Sequence, residues 1–383
     1  MSDVRFDEKE LLEEARKAEG LQDFGPDEFR EGLRVLIETI EKNPFTEKGR
    51  YRNRQRLLRL LTTRLRIQEA FRRHPEIRER EIRRPLFLTG LPRSGTSALF
   101  NLLAADPAAR PLLLWESQFP DPAWGLAPGE TDPRYLAVKA YTDQTREKNP
   151  EFTKIHFASA DTPEECVLVH AYAFDGGQMG FEIMMEPYAS WLREHDLRPL
   201  YSYYADLLRL LDWQRPGERW LLKTPAHLWA LDVLVETFPD CCIVWNHRDP
   251  VVCIASISSM THMIMGDQVD MSAAELGPRC LDYYVASLEH GLEQRAALDP
   301  ARFADVDYGA LVADNLGAAR AIYEHFGLPL GAETRQALEA HASSHPQGKH
   351  GRHEYDIADF GMSPDEVRAR FADYIERFGL GAG

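Results

Sequence analysis

The sequence predicts an α/β fold of three layers, a mostly parallel central sheet flanked by helices, with an N-terminal helical extension. Three observations predict it. The first eighty residues carry helical apolar periodicity, and from Arg84 onward short apolar runs of strand type alternate with helical segments. A glycine-punctuated loop also joins the first of these runs to a helix. We therefore divide the chain into an extension, 1–82, packed on a core domain, 83–383, which carries a helical insertion at about 106–216.

The N-terminal extension is predicted to contain three helices. The first runs from Asp7 to Ala18, Asp27 can cap the second, and Thr46 opens a third that continues towards His74. The third helix is rich in arginine, which is consistent with either a docking surface for an acidic partner or nucleic acid, or a solvated face paired with the preceding acidic helices. We favour the solvated face, because charge runs usually face solvent. These helices are also candidates for a homodimer contact.

The core domain begins where the pattern changes to alternating strands and helices. The predicted strands are Pro85–Gly90, Arg219–Lys223 and Cys241–Trp245, and the predicted helices are Ser97–Ala105, Leu228–Phe238 and Val251–Met260. The insertion at 106–216 is rich in aromatic residues and is interpreted as the wall of a substrate cleft, although such residues are also common in a plain core.

Composition restricts the classes of partner. The chain has 383 residues, 44% of them hydrophobic, and a formal net charge of −16. A large core is therefore possible, and a general affinity for nucleic acid or anionic membranes is not expected. The polar N-terminus does not resemble a signal peptide, and no apolar run approaches the ~20 residues that a membrane span needs. Five cysteines without metal-site spacing indicate reduced buried thiols, so we expect a cytoplasmic protein.

The loop between Gly90 and Ser97 has the spacing of a phosphate-binding strand–loop–helix, G-x-x-x-x-G-[KT]-[ST]. Its amides would point inward at the start of a helix, where the helix dipole favours an anion. Thr96 stands where a nucleotide triphosphatase has its lysine, and Arg93 supplies the positive charge instead. This change suggests a phosphate ligand other than a metal-bound triphosphate. The alternative is a tight glycine turn without a ligand.

Two further strand ends carry positive charge. Arg248 follows an apolar strand, and Ser256 lies two turns along the helix that Pro250 opens, so the pair could clamp a second phosphate. Lys223 also ends a strand and could stabilise negative charge on a leaving group. The alternatives are an ordinary surface ion pair of Arg248 with Asp249 and a solvated lysine.

Together these three elements, over about residues 84 to 260, resemble the sulfotransferases that use 3′-phosphoadenosine 5′-phosphosulfate. The resemblance implies a P-loop-like fold, with Lys223 as a catalytic residue and Arg248 and Ser256 as the 3′-phosphate site. It assigns binding of the 5′-phosphosulfate to Arg93, Ser94, Gly95, Thr96 and Ser97. The Pro-Arg-Ser form of the loop looks closer to the tyrosylprotein, carbohydrate and bacterial branches than to the cytosolic branch.

A basic, glycine-punctuated loop near the C-terminus extends the resemblance. It looks like the late loop that closes over the 3′-phosphate in this family, which implies phosphate contacts for Lys349 and Arg352. As bare sequence it equally fits an exposed turn.

The general base is the point where the sequence departs from one branch of the family. The cytosolic branch has a histidine two residues after the lysine, and Pro225 stands there instead. The resemblance to the tyrosylprotein branch implies Glu116, whose apolar neighbours would raise its pKa. His227 is the second candidate, with His156 and His170 behind it. The alternative for Glu116 is a structural carboxylate paired with an arginine.

The resemblance therefore implies sulfuryl transfer from 3′-phosphoadenosine 5′-phosphosulfate to a hydroxyl of a small-molecule, lipid or carbohydrate acceptor, possessing an apolar or ring-containing body. We expect no metal requirement, because the transferred group bears a single negative charge. A P-loop small-molecule kinase that uses ATP and magnesium stays open, and so does a non-catalytic adenine-nucleotide-binding protein.

Overall fold

The computed structural model describes residues 4–127, 129–148, 158–175, 180–345 and 356–381. Its centre is a parallel sheet of five strands in the order β2-β3-β1-β4-β5. The strands are β1 (Leu86–Gly90), β2 (Ala109–Pro111), β3 (Arg219–Lys223), β4 (Cys242–His247) and β5 (Phe303–Asp307). The predicted α/β class is confirmed.

Helices connect the strands and cover both faces of the sheet. The N-terminal ones are α1 (Glu8–Glu19), α2 (Phe29–Lys42) and α3 (Glu47–Arg73). Those between β1 and β3 are α4 (Thr96–Leu103), α5 (Leu114–Gln118), α6 (Pro133–Lys148), α7 (Val167–His170), α8 (Tyr188–Glu194) and α9 (Arg198–Gln214). Those after β3 are α10 (Leu231–Thr237), α11 (Pro250–Met265), α12 (Ala273–Ala296), α13 (Tyr308–Ala313), α14 (Asn315–His325), α15 (Ala332–Ser344), α16 (Pro364–Arg370) and α17 (Ala372–Phe378).

Local sequence explains where the N-terminal helices begin and end. The Asp7 side chain accepts a hydrogen bond from the backbone N–H of Glu10, and Thr46 does the same for Gly49. Gly20 closes α1 at a φ of 67°, a left-handed value that glycine adopts readily. The second helix differs from the expectation, because it starts at Phe29 and Asp27 does not cap it with its side chain.

Two hydrophobic clusters lie against the sheet. The larger one joins side chains of the N-terminal helices, such as Leu33 and Leu57, to the face that carries Phe87 and Ile243. The smaller one covers the opposite face and includes Leu88. The three predicted layers are therefore present, and the N-terminal helices share the main core. The division at residues 82 and 83 stays a prediction.

The insertion expected at 106–216 is not wholly helical. Its residues Ala109–Pro111 form β2, which pairs with β3 as an edge strand. Only three residues long, this strand is too short to give an alternating pattern, so the sequence did not reveal it. The edge strand β5 was also missing from the expectation.

Arginines of helix α3 form hydrogen bonds and ion pairs with other parts of the chain. Arg64 is 2% exposed and donates to the carbonyl oxygens of Phe24 and Tyr172 at 2.7 and 2.8 Å. Arg66 forms ion pairs with Glu19 of α1 and with Asp121. Arg66 therefore pairs with the preceding acidic helix α1 as expected, whereas the expectation of a solvated face is wrong for Arg64, which is buried against backbone carbonyls.

All five cysteines are buried and free. Within the described ranges, no helix combines the length and apolar character needed to cross a membrane.

Candidate active site

Two glycines with left-handed φ values determine the backbone shape at the two ends of the loop after β1. Gly90 has a φ of 132°, and a Cβ there would lie 2.4 Å from the carbonyl oxygen of Asn246 on β4. Gly95 has a φ of 91° and packs so closely on Tyr308 that a Cβ would lie 2.8 Å from its ring. The Ser94 hydroxyl donates to the carbonyl oxygen of Leu91 at 2.6 Å, so this side chain stabilises the loop itself.

Helix α4 begins directly after Gly95. Among the described residues no side chain caps its N-terminus. The first backbone N–H groups of such a helix lack intrahelical partners and carry the positive end of the dipole. Thr96 is buried while Ser97 is exposed at this end, so the Ser97 side chain is accessible at the first turn of the helix. The helix start is therefore suited to an anion.

The structure brings the loop and the arginine–serine pair into direct contact. Arg93 Nε donates to Ser256 Oγ at 3.0 Å, and Arg248 Nη1 donates to the carbonyl oxygen of Arg93 at 2.8 Å. The guanidinium of Arg248 also lies over the Tyr308 ring, 3.8 Å from its centroid. Because β1 and β4 are neighbours in the sheet, their carboxyl ends place these groups at one crevice. The alternative pairing of Arg248 with Asp249 is not the one observed, since the Asp249 side chain caps α11.

Lys223 reaches the same crevice from the end of β3. Its ammonium donates to Ser97 Oγ at 3.1 Å and forms an ion pair with Glu165. The lysine side chain is only 5% exposed, which excludes a solvated strand end, whereas the Glu165 side chain is 29% exposed. Cys166 donates its backbone N–H to the carbonyl oxygen of Lys223 at 2.9 Å and so fixes Glu165 beside the strand. A buried cation and a partly exposed carboxylate therefore face the phosphate loop.

The expectation of a raised pKa at Glu116 is wrong. Its carboxylate accepts paired hydrogen bonds from Arg110 and Arg215 at 2.8 to 3.0 Å, and it accepts another from the backbone N–H of Leu113. Burial alone would raise the pKa of Glu116, but hydrogen bonds and charge from both arginines lower it. Glu116 is thus a buried structural carboxylate, the alternative given above, and it has no free oxygen for an acceptor proton.

His227 and His170 lie in the hydrophobic interior, at 0% and 1% exposure. Both rings are buried, and they pack on Tyr201 and Tyr204. His227 Nδ1 lies 2.8 Å from the Tyr201 hydroxyl. Burial lowers the pKa of His170 to about 3 and that of His227 well below its ordinary value. The candidacy of His227 is corrected accordingly, because its imidazole belongs to the core.

Three candidate residues, His156, Lys349 and Arg352, lie outside the described residues. Within the described ranges, no group of three or more histidine, cysteine, aspartate or glutamate side chains is close enough to hold a metal ion.

A sequence model described as the Sulfotransferase family matches residues 85–332. This range exceeds half of the chain and includes the phosphate loop, Lys223, Arg248 and Ser256. This chain belongs to the sulfotransferase family. It is accordingly a member of a family of transferase enzymes, and its P-loop-like fold is that of the family.

Two solved structures resemble this sulfotransferase over almost its whole length. Sulfotransferase STF1 from Mycobacterium tuberculosis H37Rv is 35% identical, with a TM-score of 0.86, and the match covers 97% of this chain and 100% of that one. Sulfotransferase STF9 from Mycobacterium avium is 27% identical, with a TM-score of 0.89, and the match covers 100% and 99%.

The curated relatives share a shorter stretch with this sulfotransferase. The omega-hydroxy-beta-dihydromenaquinone-9 sulfotransferases Stf3 of Mycobacterium tuberculosis and Mycobacterium bovis are 32% identical over 111 residues. That alignment spans 28% of this chain and 28% of theirs.

Glu165, the ion-pair partner of Lys223, is a residue of the crevice that sequence reasoning missed. It lies in Thr162-Pro163-Glu164-Glu165-Cys166, far from every motif along the chain, and it approaches Lys223 only through the fold. The one signal in the sequence was a pair of adjacent carboxylates before a short apolar run, which is too common a pattern to select.

Proposed function

We propose that this sulfotransferase transfers a sulfuryl group from 3′-phosphoadenosine 5′-phosphosulfate to a hydroxyl of a small-molecule, lipid or carbohydrate acceptor. The observation that supports this proposal is the meeting of three positive elements in one crevice. The phosphate loop contacts Ser256 and Arg248 through Arg93, and it contacts Lys223 through Ser97.

On the donor side, the N-terminal amides of α4 and Arg93 would hold the 5′-phosphosulfate. Arg248 and Ser256 would hold the 3′-phosphate, with the Arg248 guanidinium kept in place by the Tyr308 ring. Threonine at position 96 supplies a hydroxyl and no charge, which suits a ligand that carries less negative charge than a triphosphate.

On the acceptor side, we assign the general base to Glu165. In an in-line transfer the bond from sulfur to the bridging phosphate oxygen breaks while a bond from sulfur to the acceptor oxygen forms. Lys223 would stabilise the charge that develops on the leaving oxygen, and Glu165 would take the acceptor proton. The ion pair between Lys223 and Glu165 places both groups together, so catalysis would rest on position and charge.

The curated relatives support one acceptor class for the first test. Their name describes a hydroxylated menaquinone derivative, and we propose a hydroxyl on a largely apolar molecule as the first class to test here.

Binding of adenosine 3′,5′-bisphosphate tests the donor assignment. We expect this nucleotide to raise the thermal unfolding temperature without magnesium, because both phosphate sites are built from side chains and amides of the protein. ATP with magnesium is expected to have little effect. Stabilisation by ATP and magnesium, with none by the bisphosphate, would refute the proposal.

Arg248→Ala tests the 3′-phosphate site. A hydrogen bond to a charged group contributes about 1.5–3 kcal/mol, so we expect bisphosphate affinity to fall by about ten-fold or more. Arg193→Ala, at an exposed arginine of α8, is the matched control and should bind as the unmodified protein does. An unchanged dissociation constant for Arg248→Ala, measured by calorimetry, contradicts the assignment.

A further inference from the structure

A cavity of about 240 Å³ lies beside α7, between α3, α5 and the C-terminal end of α11. Its apolar lining includes Leu60, Leu168 and Ile264, and its polar lining includes Arg56, Arg59 and Glu182. None of these residues belongs to the crevice formed by the phosphate loop, Lys223, Arg248 and Ser256, which we call the donor crevice.

Glu182 lines this cavity and has one unused hydrogen-bonding position. It is only 1% exposed, and its Oε1 accepts a hydrogen bond from Arg56 Nη2 at 3.0 Å. Its Oε2 is buried without a hydrogen-bond partner anywhere in the described part of the chain. A buried carboxylate oxygen without a donor is costly, so this atom is suited to a ligand that donates an O–H or N–H group.

The cavity adjoins the reaction centre through α7. Leu168 follows Glu165 by three residues and Ala171, which also lines the cavity, follows it by six. At the rise of ~1.5–2 Å per residue in helical turns, Glu165 is roughly 5 to 12 Å from these two residues along the chain. A molecule whose hydroxyl reaches Glu165 therefore has a nearby place for its body.

The volume of the cavity and its mixed lining fit a ring that carries a polar group. An apolar cavity of about 150 Å³ holds one benzene ring, so this larger cavity suits a group of one or two rings. We propose that the cavity binds the ring of the acceptor and that Glu182 Oε2 accepts a hydrogen bond from a hydroxyl or N–H on that ring. This inference rests on the proposed function. It makes the acceptor a ring compound with two polar groups, the hydroxyl that is sulfated and an O–H or N–H on the ring that donates a hydrogen bond.

Direct binding of 2-naphthol to the full chain tests the proposal. Its two fused rings carry one donor, whereas 2-methoxynaphthalene has the same rings and no donor. In ligand-observed NMR titrations we expect 2-naphthol to bind about ten-fold more tightly than the ether, because a hydrogen bond to a charged group is lost. Equal affinity means that water satisfies Glu182, and this result overturns the proposal. Tighter binding of 2-naphthoate than of 2-naphthol also overturns it, since the arginines would then select the ligand.

Two variants test whether the naphthalenes bind in this cavity. Glu182→Gln removes the charge and should abolish most of the ten-fold preference. Ile264→Trp, at a rim position that is 40% exposed, should reduce the affinity for both naphthalenes at least ten-fold without disturbing the core. Leu136→Trp, at a 49% exposed position of α6 outside the cavity, is the control and should bind like the unmodified protein. Unchanged binding by Ile264→Trp overturns the proposal even if Glu182→Gln fails to fold.

A parallel measurement separates this inference from the proposed function. Each variant should keep its stabilisation by adenosine 3′,5′-bisphosphate, because the donor crevice is built from other residues. An unmodified protein that binds the bisphosphate but shows no preference for 2-naphthol refutes the cavity assignment alone, whereas an unmodified protein that does not bind the bisphosphate refutes the proposed function.

Discussion

At the scale of single residues, two glutamates of this chain show how surroundings decide the role of a carboxylate. Glu116 is enclosed by two guanidinium groups and keeps its charge for structure. Glu165 forms an ion pair with Lys223, which also donates to Ser97 of the phosphate loop, and the Glu165 side chain is partly exposed. The same functional group thus stabilises the fold in one place and, in the function we propose, takes the acceptor proton in the other.

Glu116→Gln should destabilise the protein strongly. The variant leaves Arg110, with a side chain 1% exposed, without its counter-charge, and breaking a buried pair costs about 3–5 kcal/mol. Urea denaturation at neutral pH measures the free energy of unfolding. Glu13→Gln, on the exposed face of α1, should leave it unchanged, and a mild effect of Glu116→Gln would contradict the structural role.

Glu165→Gln should lower turnover and spare donor binding. Glutamine keeps the size of the side chain and can accept a hydrogen bond from Lys223, but it cannot take a proton, so we expect kcat to fall by about 10²–10⁴. The assay is sulfuryl transfer to the best substrate from a panel of hydroxylated lipids and phenols. Asp161→Asn, on the same loop, is the control. A variant that retains full kcat would exclude Glu165 as the base.

At the scale of elements, the phosphate loop depends on backbone shapes that only glycine tolerates easily. Gly95 both adopts a left-handed φ and lets the Tyr308 ring approach, and that ring in turn holds Arg248. The loop, the ring and the arginine therefore form one connected unit at the carboxyl ends of β1 and β4.

Gly95→Ala should damage both stability and bisphosphate binding. The strained backbone costs about 1–3 kcal/mol, and the new Cβ displaces the ring that supports Arg248. Gly20→Ala is a matched control, because Gly20 also has a positive φ but a Cβ there meets nothing within 4 Å. We expect the control to lose about 1 kcal/mol of stability and to bind the bisphosphate normally. Calorimetry would contradict the linkage if both variants bound equally well.

At the scale of the whole molecule, acid should destabilise the fold through buried histidines. The pKa of His170 is lowered to about 3 by burial, whereas an unfolded histidine titrates near ~6.5. The unfolded chain therefore binds more protons at acidic pH, so stability is full above about pH 6.5 and decreases as the pH falls towards 3. His227, with a lowered pKa, adds to the same trend.

His170→Phe should make the fold less sensitive to acid. Both ring nitrogens of His170 lack hydrogen-bond partners among the described residues, so phenylalanine loses little at neutral pH. At pH 4.5 the variant should retain about 2–3 kcal/mol more stability relative to its value at pH 7 than the unmodified protein does. Urea midpoints across this range give the comparison. His262→Gln, at an exposed histidine of α11, should titrate like the unmodified protein, and an identical pH profile for His170→Phe would contradict the assignment.

Much of the fold and of the donor crevice was predictable because its signals are local. The strand before Gly90, the turn at Gly95 and the helix after it follow from a dozen consecutive residues, and Arg248 and Ser256 are fixed by one strand end and one helix. The short edge strand β2 was not predictable, since three residues carry no periodicity.

The sequence by itself determined that a loop with phosphate-binding spacing joins a strand to a helix and that two more positive strand ends follow it. Only the tertiary structure decided which carboxylate faces them. Arg215 lies ninety-nine residues from Glu116, and Lys223 lies fifty-eight from Glu165, so neither pairing leaves a local trace. Charge pairing depends on distances in space, and those distances are set by how the whole sheet and its helices pack.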